Sequence, residues 1–154
     1  MAYLSTKTYG HEVGLSVAFR QHRAESHCRF IHGYALSVKF TFAAEVLDEN
    51  GWVMDFGGLK DIKSYLQDLL DHRLLVAEDD PMKDELCALA GLGVADVIVL
   101  PATGCEAFAK AIFTWVEFWL YDNNHAPRVT LVSVEVKEHG ANSAIYTGQL
   151  DGRA

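Results

Sequence analysis

The sequence predicts an α+β fold in which an antiparallel sheet is covered on one face by helices. Three patterns carry this prediction: apolar and polar residues alternate from Tyr34, apolar residues recur at spacings of three and four in two later stretches, and alternation resumes from Val129. The predicted order is strand, strand, helix, helix, strand, strand, which gives four strands and two helices in one domain spanning residues 1–154.

The first half of the chain supplies two strands and one helix. The first strand is expected near residues 7–19, and the second begins at Tyr34 with its apolar side chains on one face. Residues 48–51 (Asp-Glu-Asn-Gly) are typical of a turn, after which residues 52–54 resume in extended form. The spacing over residues 59–71 predicts an amphipathic helix. The apolar faces comprise Leu36, Val38, Phe40 and Phe42 in the second strand and Leu59, Ile62, Leu66, Leu69 and Leu70 in the helix.

The second half supplies the other helix and two strands. A weaker pattern comes first, from which we expect a short helix within residues 82–90 and a short strand within 97–100. A second long helix lies between residues 103 and 124, and strands follow at 129–136 and 144–149. The apolar faces comprise Phe108, Ile112, Trp115 and Trp119 in the helix and Val132, Val134 and Val136 in the first of these strands.

Composition excludes several classes of function. Half of the 154 residues are hydrophobic, which is enough for one sizeable core. Thirteen basic and 21 acidic residues give a net charge of −8, so we expect neither nucleic acid nor an anionic membrane surface as a partner. Three widely spaced cysteines without a CxxC pair, and no apolar run long enough for a membrane span or secretory signal, indicate a soluble cytoplasmic protein.

Histidines are concentrated near the start of the chain. His22, His27 and His32, together with Cys28, fall within eleven residues and form a set that suits zinc. The spacing matches no standard zinc-finger pattern, and the same side chains could be unrelated loop histidines. Cys28 is either an inert thiol or, if the neighbouring arginines point at it, a reactive thiolate.

Two further sites carry weaker signals. Asp71 next to His72 could form a proton relay, or His72 could be an ordinary histidine at a helix C-terminus. Glu138 ends an apolar strand, and its carboxylate is either solvated or accepts two N–H groups from a guanidine-like edge. Each signal has a structural explanation when it is taken alone.

The order of the motifs is more specific than any one of them. The motifs are His22-Arg23, Cys28-x-x-x-His32-Gly33, Gly51-Trp52-Val53-Met54-Asp55-Phe56, Leu70-Asp71-His72-x-x-Leu75, Glu106 at a helix start, and Val136-Lys137-Glu138 with Tyr146 beyond. This arrangement resembles the 6-pyruvoyl- and 6-carboxy-tetrahydropterin synthase family over nearly the whole chain. The resemblance implies the tunnelling fold (T-fold), whose sheets join into a barrel in a homohexamer of two stacked trimers.

The resemblance also implies a reaction. The family's substrate is 7,8-dihydroneopterin triphosphate, and the carboxy branch yields 6-carboxytetrahydropterin, acetaldehyde and triphosphate on the route to deazapurines such as queuosine. Zn²⁺ binds the substrate's side-chain hydroxyls, and a cysteine matching Cys28 abstracts the proton. An Asp-His pair matching Asp71 and His72 completes a relay from a neighbouring subunit. The glutamate matching Glu138 anchors the pterin ring, and Glu106 and Thr103 are expected to contact the substrate.

The sequence departs from the family at the metal site. The family's third zinc ligand lies two residues after the histidine that matches His32, where this chain has Tyr34. A tyrosinate at this position could bind zinc, but the ordinary pKa of tyrosine, about 10, makes the ionised form costly. We therefore expect zinc on His22 and His32, with His27 as the substitute ligand. Weak binding through the two histidines and Tyr34, or no zinc, are the alternatives.

Three functions remain open from the sequence. The leading hypothesis is the zinc-dependent lyase of the carboxy branch. The second is 6-pyruvoyl-tetrahydropterin synthase activity on the same fold, which releases triphosphate without acetaldehyde. The third is a pterin-binding protein that kept Glu138 and lost catalysis together with the third histidine. Bound zinc, turnover and the identity of the products discriminate among the three.

Overall fold

The sheet is built around one long central strand. A computed structural model describes residues 1–148. The strands are β1 (Tyr3–Tyr9), β2 (Leu15–Phe19), β3 (His32–Ala44), β4 (Arg73–Ala77), β5 (Asp96–Leu100), β6 (Thr130–His139) and β7 (Asn142–Thr147). The helices are α1 (Lys60–Leu70), α2 (Lys83–Gly91) and α3 (Cys105–Asp122). None of the helices within residues 1–148 is long and apolar enough to cross a membrane.

Strand β3 pairs with three others. Along one edge it pairs antiparallel with β2 through its first half and with β1 through its second half, while β6 pairs along the other edge and β7 follows β6. The single strand expected near residues 7–19 is therefore two strands. A turn at residues 10–14 separates them, and Gly14 in that turn has φ of 78°, which favours glycine.

The predicted α+β fold is confirmed, but within residues 1–148 the sheet is mixed and has seven strands with three helices, instead of four antiparallel strands with two helices. β4 pairs with β2 in parallel, and β5 pairs with β4 in parallel. Parallel neighbours need a crossover, and α2 supplies it between β4 and β5. The short helix and short strand expected within residues 82–90 and 97–100 are confirmed as α2 and β5. Strand β5 extends the sheet beyond β4.

The core lies between the sheet and the helices α1 and α3. The apolar face predicted for β3 is confirmed, because Leu36, Val38, Phe40 and Phe42 are fully buried. The predicted faces of the helices are buried as well, except that Trp115 is partly exposed and stacks on Tyr65 with ring centroids 4.0 Å apart. Helix α3 packs on β6 and β7, and α1 packs on β2 and β4. These contacts fix the position of α3 against the sheet.

Two local expectations are wrong. Val132 was predicted to face the core, but the pairing of β3 with β6 shifts by one residue next to Thr41, and Leu131 is buried instead. Residues 52–54 form no strand. The turn before them is confirmed, because Asp48 accepts the N–H groups of Asn50 and Trp52 at 2.9 and 2.8 Å.

Arg20, just after β2, connects three loops at one end of the sheet. Its Nε and Nη2 donate to the two carboxylate oxygens of Asp80 at 2.7 and 2.8 Å. Its Nη1 donates to the carbonyl of Arg29 at 3.3 Å, and its own carbonyl accepts from the Thr103 hydroxyl at 2.7 Å. The loop between β2 and β3, the loop between β4 and α2 and the segment that precedes α3 are therefore held together through one residue.

Asp80 is the buried member of this arrangement. Its side chain is 1% exposed, and a buried carboxylate is stable only when it is paired. The hydrogen bond from the Arg20 guanidinium is the main cause that holds the pKa of Asp80 below its usual value, and the backbone N–H of Met82 contributes. The charged form is therefore the form that stabilises the folded chain.

Replacing Asp80 by asparagine should lower the free energy of unfolding by about 3 kcal/mol at pH 7, because Arg20 loses its charged partner. A carboxyl group whose pKa is depressed on folding contributes stability above its unfolded pKa and loses it as pH falls. The difference between wild type and Asp80→Asn should therefore shrink below pH about 4. Urea denaturation across pH measures it, with Asp84→Asn, exposed on α2, as the matched control. A difference that stays constant with pH would contradict the ion-pair explanation.

Candidate active site

A small polar pocket lies where α3 begins against the end of the β6–β7 hairpin. Its volume is about 140 Å³. Glu138 comes from the end of β6, and Cys105 and Glu106 come from the first turn of α3. The lining residues are Gln21, Cys105, Glu106, Glu138, Asn142, Ser143 and Ala144. The pocket therefore combines two carboxylates, two carboxamides and a thiol on a sheet-and-helix framework.

Cys105 is the buried thiol of this pocket and is 7% exposed. Burial raises the pKa of Cys105 to about 12, and the negative charges of Glu138 and Glu106 and a hydrogen bond with Glu138 add to that effect. The group is therefore a neutral S–H at physiological pH. A neutral thiol beside Glu138 is a hydrogen-bond donor to the carboxylate, not a nucleophile.

Tyr34 stands beside the pocket on β3, on the same side of the strand as His32. The centroid of its ring lies 5.8 Å from that of His32, 6.5 Å from that of Phe19 and 6.1 Å from that of His139. Burial is the first cause that raises the pKa of Tyr34, and the nearby negative charge of Glu138 is the second. Tyr34 is therefore held as a neutral phenol, whose O–H is available as a hydrogen-bond donor.

Cys28 lies in a short 3-10 helix at residues 27–29 and is partly exposed. Its carbonyl accepts the backbone N–H of Gln21 at 2.9 Å, so it is tied to the loop that borders the pocket. The arginines expected to act on the thiol are engaged elsewhere. Arg23 pairs with Asp79, and the guanidinium of Arg29 lies 4.9 Å from the centre of the Phe30 ring.

Within residues 1–148 the predicted zinc ligands do not form a three-ligand cluster. The Nδ1 of His32 is 2.7 Å from the carbonyl of Phe30, which orients the ring and leaves Nε2 free, as in many metal-binding histidines. His22 instead directs Nε2 at the carboxylate of Asp79, 3.6 Å away. Across residues 1–148 no three His, Cys, Asp or Glu side chains are close enough to hold a metal ion, so this arrangement does not fit a three-ligand zinc site. His27 as substitute ligand stays a prediction.

The Asp71–His72 pair lies on the outer surface. Asp71 Oδ1 and His72 Nδ1 are 2.6 Å apart, the geometry in which a carboxylate orients an imidazole. The His72 side chain is 87% exposed, and its backbone has φ of 58° with its N–H bonded to the carbonyl of Ser16. His72 and Tyr34 border the same open groove of about 530 Å³. The carboxylate and the imidazole are therefore in contact, and the imidazole is exposed to solvent in the single chain.

The two remaining predicted substrate contacts take different positions. Glu106 lines the pocket. Thr103 is buried, and its hydroxyl donates to the carbonyl of Arg20, so it positions the loop behind the pocket. The sequence prediction missed Gln21, although this residue immediately precedes the first motif, His22-Arg23. Gly104 is the residue that points to Gln21, but the two are distant in sequence, and only the folded structure shows their contact.

The topology defines the class: this is the tunnelling fold, with a carboxylate pocket at the start of its long helix. The chain belongs to the family described as 6-pyruvoyl tetrahydropterin synthase, whose sequence profile matches residues 10–149. It is 26% identical over 136 residues to the 6-carboxy-5,6,7,8-tetrahydropterin synthase of Aquifex aeolicus, in a match covering 86% of this chain and 83% of the relative. Identity to the Bacillus subtilis protein of the same name is 29% over 125 residues, covering 81% and 73%.

Solved structures agree on the fold. An uncharacterized protein of Wolinella succinogenes superposes with a TM-score of 0.80 at 18% identity, covering 97% of this chain and 99% of its own. The 6-pyruvoyl tetrahydropterin synthase of Plasmodium falciparum gives 0.65 at 16% identity, covering 94% and 96%. The resemblance expected from the ordered motifs is confirmed at the level of family and fold.

The raised pKa of Cys105 predicts selective thiol chemistry. At pH 8 iodoacetamide should modify Cys28 and Cys87, which are partly exposed, and leave Cys105 unmodified, because a thiol with a pKa about 12 is almost wholly protonated. Peptide mapping by mass spectrometry measures each site. All three cysteines should react in urea, which serves as the control. Rapid labelling of Cys105 in the folded protein would contradict its burial and its protonated state.

Proposed function

We propose that the protein is a lyase of the 6-carboxy-5,6,7,8-tetrahydropterin synthase type, which converts 7,8-dihydroneopterin triphosphate to 6-carboxytetrahydropterin, acetaldehyde and triphosphate. The observation that carries the proposal is Glu138 in a pocket of about 140 Å³, with Tyr34 beside it. This volume takes one flat ring system rather than a macromolecular ligand. The named relatives of Aquifex aeolicus and Bacillus subtilis support the choice of the carboxy branch.

The residues in and around the pocket divide into binding and proton-handling groups. Glu138 accepts two N–H groups from the guanidine-like edge of the pterin, a planar bidentate contact. The neutral Cys105 thiol donates to Glu138 and limits the directions in which the carboxylate can turn. Cys28 abstracts a proton from the side chain of the substrate. Tyr34 supplies a neutral O–H that stabilises oxygen charge as it develops there.

The Asp71–His72 pair returns protons from a neighbouring subunit. Its exposure on the isolated chain supports this assignment, because the pair is accessible to the site of a neighbouring subunit. Assembly into a hexamer of two stacked trimers would cover the pair and bring it to a neighbour's pocket. Such an assembly also pairs the open sheet edges, which are otherwise free to aggregate.

Zinc and cellular location complete the proposal. The resemblance supports zinc dependence, a cytoplasmic location and a place in deazapurine synthesis. The lack, within residues 1–148, of three potential ligands close enough to share a metal ion, and the direction of His22 toward Asp79, weigh against a preformed three-ligand site. Metal content of the purified protein, measured by inductively coupled plasma mass spectrometry, decides the matter: one zinc per chain supports retention, and a metal-free protein with full turnover overturns zinc dependence.

Product analysis tests the activity. With 7,8-dihydroneopterin triphosphate, we expect equal amounts of acetaldehyde and triphosphate, whereas triphosphate without acetaldehyde would indicate the 6-pyruvoyl branch. Cys28→Ala should lower kcat at least about 100-fold with binding retained, because the proton acceptor is lost. Glu138→Gln should weaken substrate binding at least about tenfold. A wild-type protein that binds pterin without turnover would favour the non-catalytic pterin-binding alternative.

Mixing two inactive variants tests where His72 acts. Cys28→Ala and His72→Ala should each be inactive alone. If His72 serves a neighbour, oligomers reassembled from an equal mixture should recover about one quarter of wild-type activity, since some sites receive both intact residues. Each variant carried separately through the same reassembly is the control. No recovery despite mixed oligomers, shown by native mass spectrometry, would place His72 and Cys28 in one subunit's site.

A further inference from the structure

Gln21 reaches the pocket from a rigid backbone. Its N–H donates to the carbonyl of Cys28 at 2.9 Å, and its carbonyl accepts from Ala24 at 2.9 Å. The residue before it, Arg20, is fixed by Asp80 and Thr103. The half-buried side chain lines the same pocket as Glu138. The backbone is therefore held in place, and the carboxamide projects into the space beside the anchoring carboxylate.

Gly104 makes the room that this side chain occupies. Its φ of 108° lies in a region open almost only to glycine. A Cβ at this position would stand 1.9 Å from the Nε2 of Gln21, far inside contact distance. The glycine before α3 thus leaves space for the Gln21 side chain and also allows the backbone conformation with positive φ that leads into the helix.

The Gln21 carboxamide has no protein partner. Within residues 1–148, neither its oxygen nor its nitrogen makes a hydrogen bond to another residue, while the neighbouring pocket residues Asn142 and Ser143 are bonded to His139 and Glu135. A partly desolvated carboxamide on a fixed backbone, with free hydrogen-bonding capacity, favours a ligand that can pair with it, because unpaired polar groups are costly once covered.

We propose that Gln21 is a specificity-determining residue of the pocket. On the proposed function, on which this inference rests, Glu138 holds two adjacent N–H groups of a 2-amino-4-oxo ring. The next polar group along that edge is the exocyclic 4-oxo oxygen, which only accepts hydrogen bonds. Gln21 donates from its Nε2 to this oxygen. A 4-amino ring offers a donor at that position and, when neutral, lacks the N3–H that Glu138 accepts, so Glu138 and Gln21 both favour the 4-oxo ring, and the part of the preference that a Gln21 variant loses is the contribution of Gln21.

Two simple ligands and the whole protein test the assignment. Dissociation constants are measured by equilibrium dialysis for 2-amino-4-oxopteridine and 2,4-diaminopteridine. Gln21→Met keeps the length of the side chain and removes its polar atoms, and it should lower the preference for the 4-oxo ligand about fivefold, the effect of one hydrogen bond. Gln67→Met, exposed on α1, is the matched control and should keep the wild-type preference.

The ratio of the two constants separates specificity from general damage, since a loosened fold weakens both ligands equally. Circular dichroism checks folding, and Gln21→Leu is the second variant if the first is unstable. An unchanged ratio in a folded Gln21 variant, with binding still lost in Glu138→Gln, overturns the role of Gln21 and leaves the proposed function intact. Failure of the wild type to bind either pteridine overturns both.

Discussion

The ion pair between Arg20 and Asp80 is the constraint on which the pocket depends. A carboxylate buried this deeply is stable only with a partner that satisfies both oxygens, and the guanidinium does so with two parallel bonds. Because the same arginine also holds the carbonyl of Arg29 and is held by Thr103, one pair positions three segments of the chain. Gln21, Cys28 and the start of α3 take their places from it.

Periodicity predicted the parts of the fold that bury one face. Strand β3 and helices α1 and α3 follow the sequence pattern closely, since burial of one face imposes a period on the residues. The parallel pairing of β4 and β5 escaped prediction because residues 73–77 and 96–100 are short apolar runs whose partners lie far away in sequence. The bulge in β6 escaped for a related reason: one extra residue changes which side chains face inward, and composition does not reveal it.

The candidate site divides in the same way. Glu138, Glu106 and Tyr34 follow from motif order, and the structure places the first two in one pocket with the third beside it. The pairing of His22 with His32 as zinc ligands came from the family resemblance, but Nε2 of His22 faces Asp79, which belongs to the β4–α2 connection. Gln21 was missed because its place in the pocket depends on a contact with Gly104, which lies more than eighty residues away in sequence.

Helix α2 has a consequence for the local stability of the pocket. It buries none of its residues, so separating it from β5 exposes little apolar surface and costs little free energy. Asp80 caps the turn that leads into this helix, accepting the N–H of Met82 at 2.8 Å. Opening of the sheet edge would therefore withdraw the partner of Arg20 and loosen the pocket with it. The site can therefore stay assembled no longer than this helix stays docked.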